Sequence, residues 1–259
     1  MSVSEILVTG GRGSLGRRVV ERLRSAGAGR DVRVLSRSGR PGTVRADLLT
    51  GEGLDEVVEG IDAIVHCASS PRKTRQTDVE GTERLLRAAG RAGISHFVFI
   101  SIVGVDRNPY FPYYRMKLEV ERVLEGSPVP WTILRATQFH EFVLRVVQLL
   151  DRIPVMMAPR GFLLQPIDIG EVADRLVELA LADPAGRVPD VGGPEVRTMA
   201  ELASAYFEVV GQSRRVVEVP LPGKTARAIR GGAQLCPERR YGKIRWGEFL
   251  RQTVHPPKD

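Results

Sequence analysis

The junction Ile6-Leu7-Val8-Thr9-Gly10-Gly11-Arg12-Gly13-Ser14-Leu15-Gly16 constrains this chain more than any other stretch. A short apolar run ends in glycines spaced three apart, and an amphipathic helix begins among them. The helix is expected from about Ser14 to Ala26, with Leu15, Val19, Leu23 and Ala26 on one stripe, so one side of it must lie on an apolar surface. Gly10 permits a tight turn, Gly13 leaves no side chain between the backbone and an approaching anion, and Gly16 allows the helix to pack closely. Unpaired N–H groups and the helix dipole favour negative charge at that helix start. Strand, glycine turn and helix together predict a site for a diphosphate, with Thr9, Gly10, Arg12, Gly13, Ser14, Leu15 and Gly16 around it.

The same strand-then-helix rhythm continues. Strands are expected at Val32 to Leu35, near Thr43 to Ala46, and at Ala63 to His66, Phe97 to Ile100 and Trp131 to Leu134. Between them lie a brief helix with Leu54, Val57 and Val58 inward, one from about Asp78 to Ala92, and one from about Tyr113 to Leu124. Gly27, Gly60, Gly93 and Gly126 follow helices, as C-terminal caps do. Short apolar strands alternating with amphipathic helices predict an α/β fold: a Rossmann-type, doubly wound parallel sheet covered on both faces. Beyond residue 136 the rhythm loosens. Helices are expected at about 139–151, 171–182 and 198–210, with further candidates at Ala226 to Ala233 and Trp246 to Thr253 and a frayed tail at His255-Pro256-Pro257. The expected organisation is a single NAD(P)-binding domain over residues 1–259, with about 137–259 forming a small C-terminal substrate-binding portion.

With 259 residues, 42% of them hydrophobic and 27% charged, the chain can bury a full core and is not composed like a disordered protein. No apolar run approaches the roughly 18 residues that span a bilayer; Phe97 to Val105 reads as a buried strand and its exit. The first residues lead into a strand and lack a secretion-signal pattern. Cys67 and Cys236, the two cysteines, are too few for a disulfide framework and lack metal-ligand spacing. A cytoplasmic setting without a metal is the expectation. The net charge of +7 comes from 38 basic residues, only five of them lysine. The arginines form no stripe, so the excess is read as solvated surface plus a phosphate site rather than a nucleic-acid or membrane face. A small-molecule substrate and a monomer or homodimer are expected.

The end of the second strand bears on the choice of dinucleotide. An NAD site places a carboxylate there for the ribose hydroxyls, whereas this chain has Ser36-Arg37-Ser38. A planar guanidinium suits a 2′-phosphate, and Arg12 adds a second positive charge. NADPH is therefore favoured over NADH.

Further stretches carry a family resemblance: Ala46-Asp47-Leu48, His66-Cys67-Ala68-Ser69, Asp78-Val79-Glu80-Gly81-Thr82, Phe97-Val98-Phe99-Ile100-Ser101, Tyr113-Tyr114-Arg115-Met116-Lys117, Leu134-Arg135-Ala136-Thr137, Gln165-Pro166-Ile167-Asp168-Ile169-Gly170-Glu171-Val172-Ala173 and Gly192-Gly193-Pro194-Glu195. With the glycine turn, they make the chain resemble the short-chain dehydrogenase/reductase superfamily, in its atypical branch of NmrA-like NAD(P)H-binding proteins, over about residues 4 to 207. The resemblance implies that Asp47 and Leu48 contact adenine, that Cys67, Ala68, Ser69 and Ala136 pass along the cofactor, and that Ser101, Tyr113 and Lys117 are the catalytic Ser, Tyr and Lys, with Lys117 also on the nicotinamide ribose. A helix puts Tyr113 and Lys117 on one face, where an ammonium stabilises a phenolate and the phenol can exchange a proton with a carbonyl oxygen. Tyr114 shares that face, and family spacing selects Tyr113. Asp78 stands where the superfamily often has Asn.

Thr137, Gln138, Phe139 and His140 are the candidates to face substrate, with His140 also readable as a helix-start packing residue. Phe139, Val143, Val146, Val147 and Leu150 suggest an apolar helix over a pocket, and Met156 and Met157 add adaptable apolar surface. These features point to an NADPH-dependent oxidoreductase for a small apolar carbonyl compound or quinone. A non-catalytic NADP(H)-sensing regulator and a nucleotide-sugar epimerase or dehydratase are the alternatives. Residues 208–259 carry no motif.

Overall fold

In the computed structural model, which describes residues 3–27, 30–70, 75–150 and 155–254, the first strand, β1 (Glu5–Thr9), is buried along its apolar length and paired on both sides. It is followed by α1 (Ser14–Ser25), β2 (Asp31–Ser36), β3 (Val44–Arg45), α2 (Leu54–Val58), β4 (Ala63–His66), a π-turn (Arg75–Val79), α3 (Glu80–Ala92), β5 (His96–Ile102), α4 (Pro112–Glu125) and β6 (Trp131–Ala136). Next come α5 (His140–Leu150), β7 (Met156–Pro159), β8 (Leu163–Leu164), α6 (Ile169–Ala180), β9 (Gly186–Arg187), β10 (Arg197–Thr198), α7 (Met199–Val209), β11 (Val216–Val219), α8 (Lys224–Arg230) and α9 (Trp246–Thr253). The expected frayed tail at His255 to Pro257 lies outside the described residues. No helix among the described residues is long and apolar enough to cross a membrane.

The main sheet has seven strands in the order β3-β2-β1-β4-β5-β6-β9 and is parallel. Strand order reverses between β1 and β4, whose register pairs Thr9 with His66. In such sheets the crevice outside the carboxyl ends at the reversal is where ligands bind. This is the doubly wound Rossmann architecture that the alternating pattern predicts.

By internal contacts the chain divides into two compact units. One comprises Met1–Ser101, Pro112–Arg135 and Gly170–Pro189; the other comprises Ile102–Phe111, Ala136–Ile169 and Asp190–Asp259. In the first, Leu7, Ile64, Phe97 and Phe99 of the strands pack with Val79, Leu85, Ala89, Val120 and Leu124 of the π-turn, α3 and α4. In the second, Val143 and Val147 of α5, Met156 of β7, Leu202 and Phe207 of α7 and Trp246 and Leu250 of α9 form a separate core. Two-stranded pairings, β8 with β10 and β7 with β11, complete this unit. These strands of two to four residues are too short for a period-2 pattern to emerge from the sequence.

Two expectations need correction here. Met156 is fully buried in β7 while Met157 is exposed, because successive strand residues point to opposite faces; the pair is not one apolar surface. Likewise Val143 and Val147 cover the core of their own unit.

Arg135 of β6 and Glu121 of α4 form a buried fork-to-fork ion pair. Arg135 Nε donates to Glu121 Oε1 at 2.8 Å, a terminal nitrogen reaches the other oxygen, and both side chains are at most 3% exposed. Removing one member strands a buried charge. Glu121→Ala is expected to lower unfolding free energy by about 3–5 kcal/mol, read as a lower urea midpoint. Replacing both residues with Met should recover most of that loss.

Candidate functional site

The β1–α1 turn is built so tightly that its glycines are not interchangeable with other residues. Gly10 has φ +65°, and a Cβ there would lie 2.6 Å from the backbone nitrogen of Ala68. A Cβ on Gly16 would lie 2.2 Å from the carbonyl oxygen of Gly10. Gly16 therefore seats the helix against the turn itself, and Gly10 seats the turn against the exit of β4. Gly13 differs: a Cβ there meets only the Gly10 carbonyl, at 3.2 Å. Arg12, Gly13 and Ser14 are exposed, while Leu15 is buried beneath them. The first turn of α1 has no side-chain cap and no carboxylate, which leaves its N–H groups open to an anion. The residues present fit a diphosphate.

Beside the turn lies a cleft of about 570 Å³ lined by Arg12, Arg17, Arg24 and Arg40, together with Gly11 and Val34. Arg17 pairs loosely with Glu21 at 3.9 Å. Arg40 sits in the glycine- and proline-rich β2–β3 loop; sequence reasoning passed over it because its signal was that of a turn. Arg37 is exposed after β2 and does not line the cleft. Asp47 Oδ1 accepts the Leu49 N–H at 2.9 Å, so the carboxylate shapes the turn after β3. Leu48 is a core residue.

From this turn a chain of hydrogen bonds crosses the carboxyl ends of the strands. The Thr82 hydroxyl donates to the Asp78 carbonyl oxygen, so at 2.9 Å it accepts from His66 Nε2. Nδ1 of the neutral ring is then an acceptor, and Thr9 Oγ1 donates to it at 2.7 Å. The Thr9 oxygen in turn takes the Ala68 N–H at 3.3 Å. Donors and acceptors match at every link, which fixes the His66 tautomer. Burial, with a smaller effect from the Lys117 charge, pushes the His66 pKa down to about 3.

Of the expected catalytic residues, Ser101 is buried at the end of its strand and its Oγ has no hydrogen-bond partner. Such an orphaned hydroxyl is what a residue reserved for a ligand oxygen presents. Lys117 is buried on α4, 3.5 Å from the Ile100 carbonyl oxygen and 4.7 Å above the Phe99 ring centroid. Tyr113, one helical turn earlier, is half-buried, and its hydroxyl lies 3.0 Å from Ser69 Oγ. Tyr114 is buried. Exposure thus separates two tyrosines that spacing along the helix could not.

Ser69 Oγ donates to Asp78 Oδ2 at 2.6 Å, and the Ser70 N–H meets Asp78 Oδ1 at 2.9 Å. Burial raises the Asp78 pKa, with Lys117 and these hydrogen bonds opposing the rise. Burial also pushes the Cys67 thiol up to about 12, so Cys67 contributes an inert wall and no thiolate. No group of three or more His, Cys, Asp or Glu side chains that could hold a metal occurs among the described residues.

In the second unit, Ala136 is buried and its carbonyl accepts the Val103 N–H at 3.0 Å. Thr137 is buried, donating to the Gln165 carbonyl and accepting from the Gly193 N–H. His140 is buried, bonded through Nε2 to the Ile244 carbonyl at 3.0 Å and stacked on Phe249 at 4.9 Å. Both side chains are bonded within their own unit, and His140 keeps a buried Nδ1 without a hydrogen-bond partner. Gln138 is half-buried and bridges Gln165 and Gln234, and Phe139 is half-buried. Sequence reasoning missed Asn108, buried with neither amide atom partnered; lying in an unpatterned loop, it gave no signal.

The lowered pKa of His66 carries a stability consequence. The native ring stays neutral while the unfolded chain takes up a proton below about pH 6.5, so His66 contributes stability that is present above that pH and lost as pH falls toward 3. His96 and His140 shift in the same direction through burial. Each proton taken up on unfolding lowers stability by about 1.4 kcal/mol per pH unit. Urea midpoints measured from pH 7.5 down to 5 should fall accordingly, and His66→Gln should flatten that slope while lowering stability at pH 7.5.

Comparison with known proteins agrees with this geometry. The profile of the NAD(P)H-binding family matches residues 10–146, which include the glycine turn, Asp78 and the Tyr113–Lys117 turn. The chain is 31% identical over 227 residues to (4-alkanoyl-5-oxo-2,5-dihydrofuran-3-yl)methyl phosphate reductase of Streptomyces griseus, covering 83% of this chain and 77% of the relative. It is 27% identical over 232 residues to the photosystem II assembly factor Ycf39 of Trieres chinensis, covering 83% and 72%. Its fold matches that of the NADPH-dependent quinone oxidoreductase of Escherichia coli complexed with NADPH, with a TM-score of 0.80 at 17% identity over 95% of this chain and 99% of the other. The chain belongs to the NAD(P)H-binding family and has the Rossmann-type fold of the atypical short-chain dehydrogenases/reductases that its motifs resemble.

Proposed function

We propose that this protein is an NADPH-dependent oxidoreductase that reduces a small apolar carbonyl compound or quinone. The observation that carries the reading is Lys117: a buried ammonium, one helical turn after Tyr113, that forms no ion pair with a carboxylate among the described residues. Burying an unpaired cation costs several kcal/mol, and a structural lysine has no reason to bear that penalty. A residue that stabilises a phenolate and holds a ribose hydroxyl does. When bound, the reduced nicotinamide supplies hydride to the carbonyl carbon. Tyr113 gives its proton to the carbonyl oxygen, Ser101 donates a hydrogen bond to that oxygen, and Lys117 stabilises the resulting phenolate.

The similarity to a photosystem II assembly factor favours a second reading, in which the dinucleotide is bound without turnover. NADPH consumption with a panel of quinones and aldehydes separates the two. Wild-type protein is expected to oxidise NADPH with at least one of them, and Tyr113→Phe to slow it by about 10²–10⁴-fold. Equal rates for wild type, variant and buffer would overturn the enzyme reading.

The preference for NADPH is assigned to Arg12, Arg37 and Arg40, the guanidinium groups around the turn and the β2 exit. Removing one charge-assisted contact to a 2′-phosphate weakens binding by about 1.5–3 kcal/mol, or roughly tenfold or more. In fluorescence titrations Arg12→Ala/Arg40→Ala and Arg37→Asp should each weaken NADPH by at least about that factor and leave NADH within about threefold. Equal wild-type affinities for the two dinucleotides would refute the assignment.

A further inference from the structure

Ser69 is bonded at once to a phenol and to a buried carboxylate. Its Oγ lies 3.0 Å from Tyr113 Oη and 2.6 Å from Asp78 Oδ2. A hydroxyl has one hydrogen, so the three-residue chain has only two consistent polarities. With Asp78 ionised, Ser69 donates to the carboxylate and Tyr113 donates to Ser69. The phenol proton is then turned away from any carbonyl in the site. With Asp78 protonated, the carboxyl O–H donates to Ser69 and Ser69 donates to Tyr113, which frees the phenol proton.

On the reductase reading above, we infer that Asp78 acts through Ser69 as a positioning residue and proton source for Tyr113, making carbonyl reduction depend on the protonation of a carboxyl group that contacts neither substrate nor cofactor. The step balances. The carbonyl carbon gains hydride from the reduced nicotinamide, which is thereby oxidised, and the carbonyl oxygen takes the Tyr113 proton. Tyr113 recovers a proton from Ser69, Ser69 from Asp78 Oδ2, and Asp78 from solvent through the exposed Ser69.

Among the described residues, few charged groups act on this carboxyl. Lys117 faces it from α4, and Tyr113 reaches it only through Ser69. Arg75, on the same π-turn, is paired with Glu119 of α4 at 2.9 Å. Glu80, at the start of α3, is paired with Arg84 at 3.4 Å. His66, linked through Thr82 to the Asp78 main chain, stays neutral. Burial raises the carboxyl's affinity for a proton and the Ser69 hydroxyl lowers it.

Two measurements test this, one independent of turnover. In the first, the Asp78 carboxyl is followed by ¹³C NMR as pH is varied in protein without cofactor. Ser69→Ala should move its titration to higher pH, and Tyr113→Phe should move it as well. A titration unchanged in both variants overturns the chain of hydrogen bonds, whatever the activity. In the second, kcat for reduction of a quinone or aldehyde with saturating NADPH is measured against pH. Wild type should lose activity as pH rises through the Asp78 titration. Asp78→Asn, whose amide can donate to Ser69 at every pH, should lose that limb while its Kd for NADPH stays within about twofold. Retention of the wild-type limb in Asp78→Asn overturns the proposed role. Coupled titrations without turnover of any substrate would refute the reductase reading and, with it, the role in reduction, leaving the hydrogen-bonded chain itself supported.

Discussion

The closest approach in the first unit sets the terms for the rest of it. The carbonyl of Gly10 lies where a side chain on Gly16 would begin, and the backbone of Ala68 lies where a side chain on Gly10 would begin. Helix α1, the end of β1 and the end of β4 are thus pressed together with only hydrogens between them. The reversal of strand order at β1 and β4 places this contact at the sheet's binding edge. A turn compressed in this way directs its open N–H groups outward and keeps any side chain out of their path, which is why an anion is the natural occupant.

The polar groups behind the turn extend that geometry toward Asp78, Ser69 and Tyr113. Thr9, the last residue of β1, hands its hydroxyl to His66, and His66 reaches Thr82 and the Asp78 main chain. The Asp78 carboxyl then reaches Ser69, and Ser69 reaches Tyr113. Two runs of hydrogen bonds, one from Thr9 to the Asp78 main-chain carbonyl and one from the Asp78 carboxyl to Tyr113, meet at Asp78. The first run is buried and matched at every link, so it holds one arrangement. The second ends in an exposed Ser69 and a half-buried Tyr113.

The parts legible in the sequence are those whose signal is local and repeated. Strand and helix positions in the first unit follow from short apolar runs such as Ile6-Leu7-Val8 and Phe97-Val98-Phe99-Ile100 and from helical stripes such as Leu15, Val19 and Leu23. Glycine spacing located the turn, although it did not reveal that Gly16 packs on Gly10 rather than on a strand. In the second unit, β7 and β8 are short, and β7 ends in a proline. A Met-Met pair gives no clue that one member is core and the other surface. His140 and Thr137 look like site residues because their side chains can do chemistry; only the fold reveals that both are buried, Thr137 with its hydroxyl paired and His140 with Nδ1 left unpaired. Tyr113 and Tyr114 are equivalent along a helix until burial separates them. Arg40 depends on a loop folding back, which has no period to read, and the position of Asp78 at a helix start does not reveal its bond to Ser69.

Asp78 illustrates how far environment decides what a residue type can do. A carboxyl group in water is ionised throughout the neutral range, and a wholly isolated one in an apolar core stays protonated. Asp78 is subject to both influences: burial opposes its charge, while the Lys117 ammonium, the Ser69 hydroxyl and the Ser70 N–H favour it. An asparagine at this position can hold Ser69 and Ser70 in place but has no proton to give. The carboxyl therefore adds one property to an otherwise structural hydrogen bond, that the polarity of the Ser69 hydroxyl can reverse. Because Ser69 also touches Tyr113, a reversal at the buried end changes which way the phenol proton faces at the open end. Lys117 links the two ends a second time, since the charge that stabilises a phenolate at Tyr113 is the charge that moderates Asp78. On the proposed reductase reading, a single buried lysine couples the group that loses a proton to the group that replaces it.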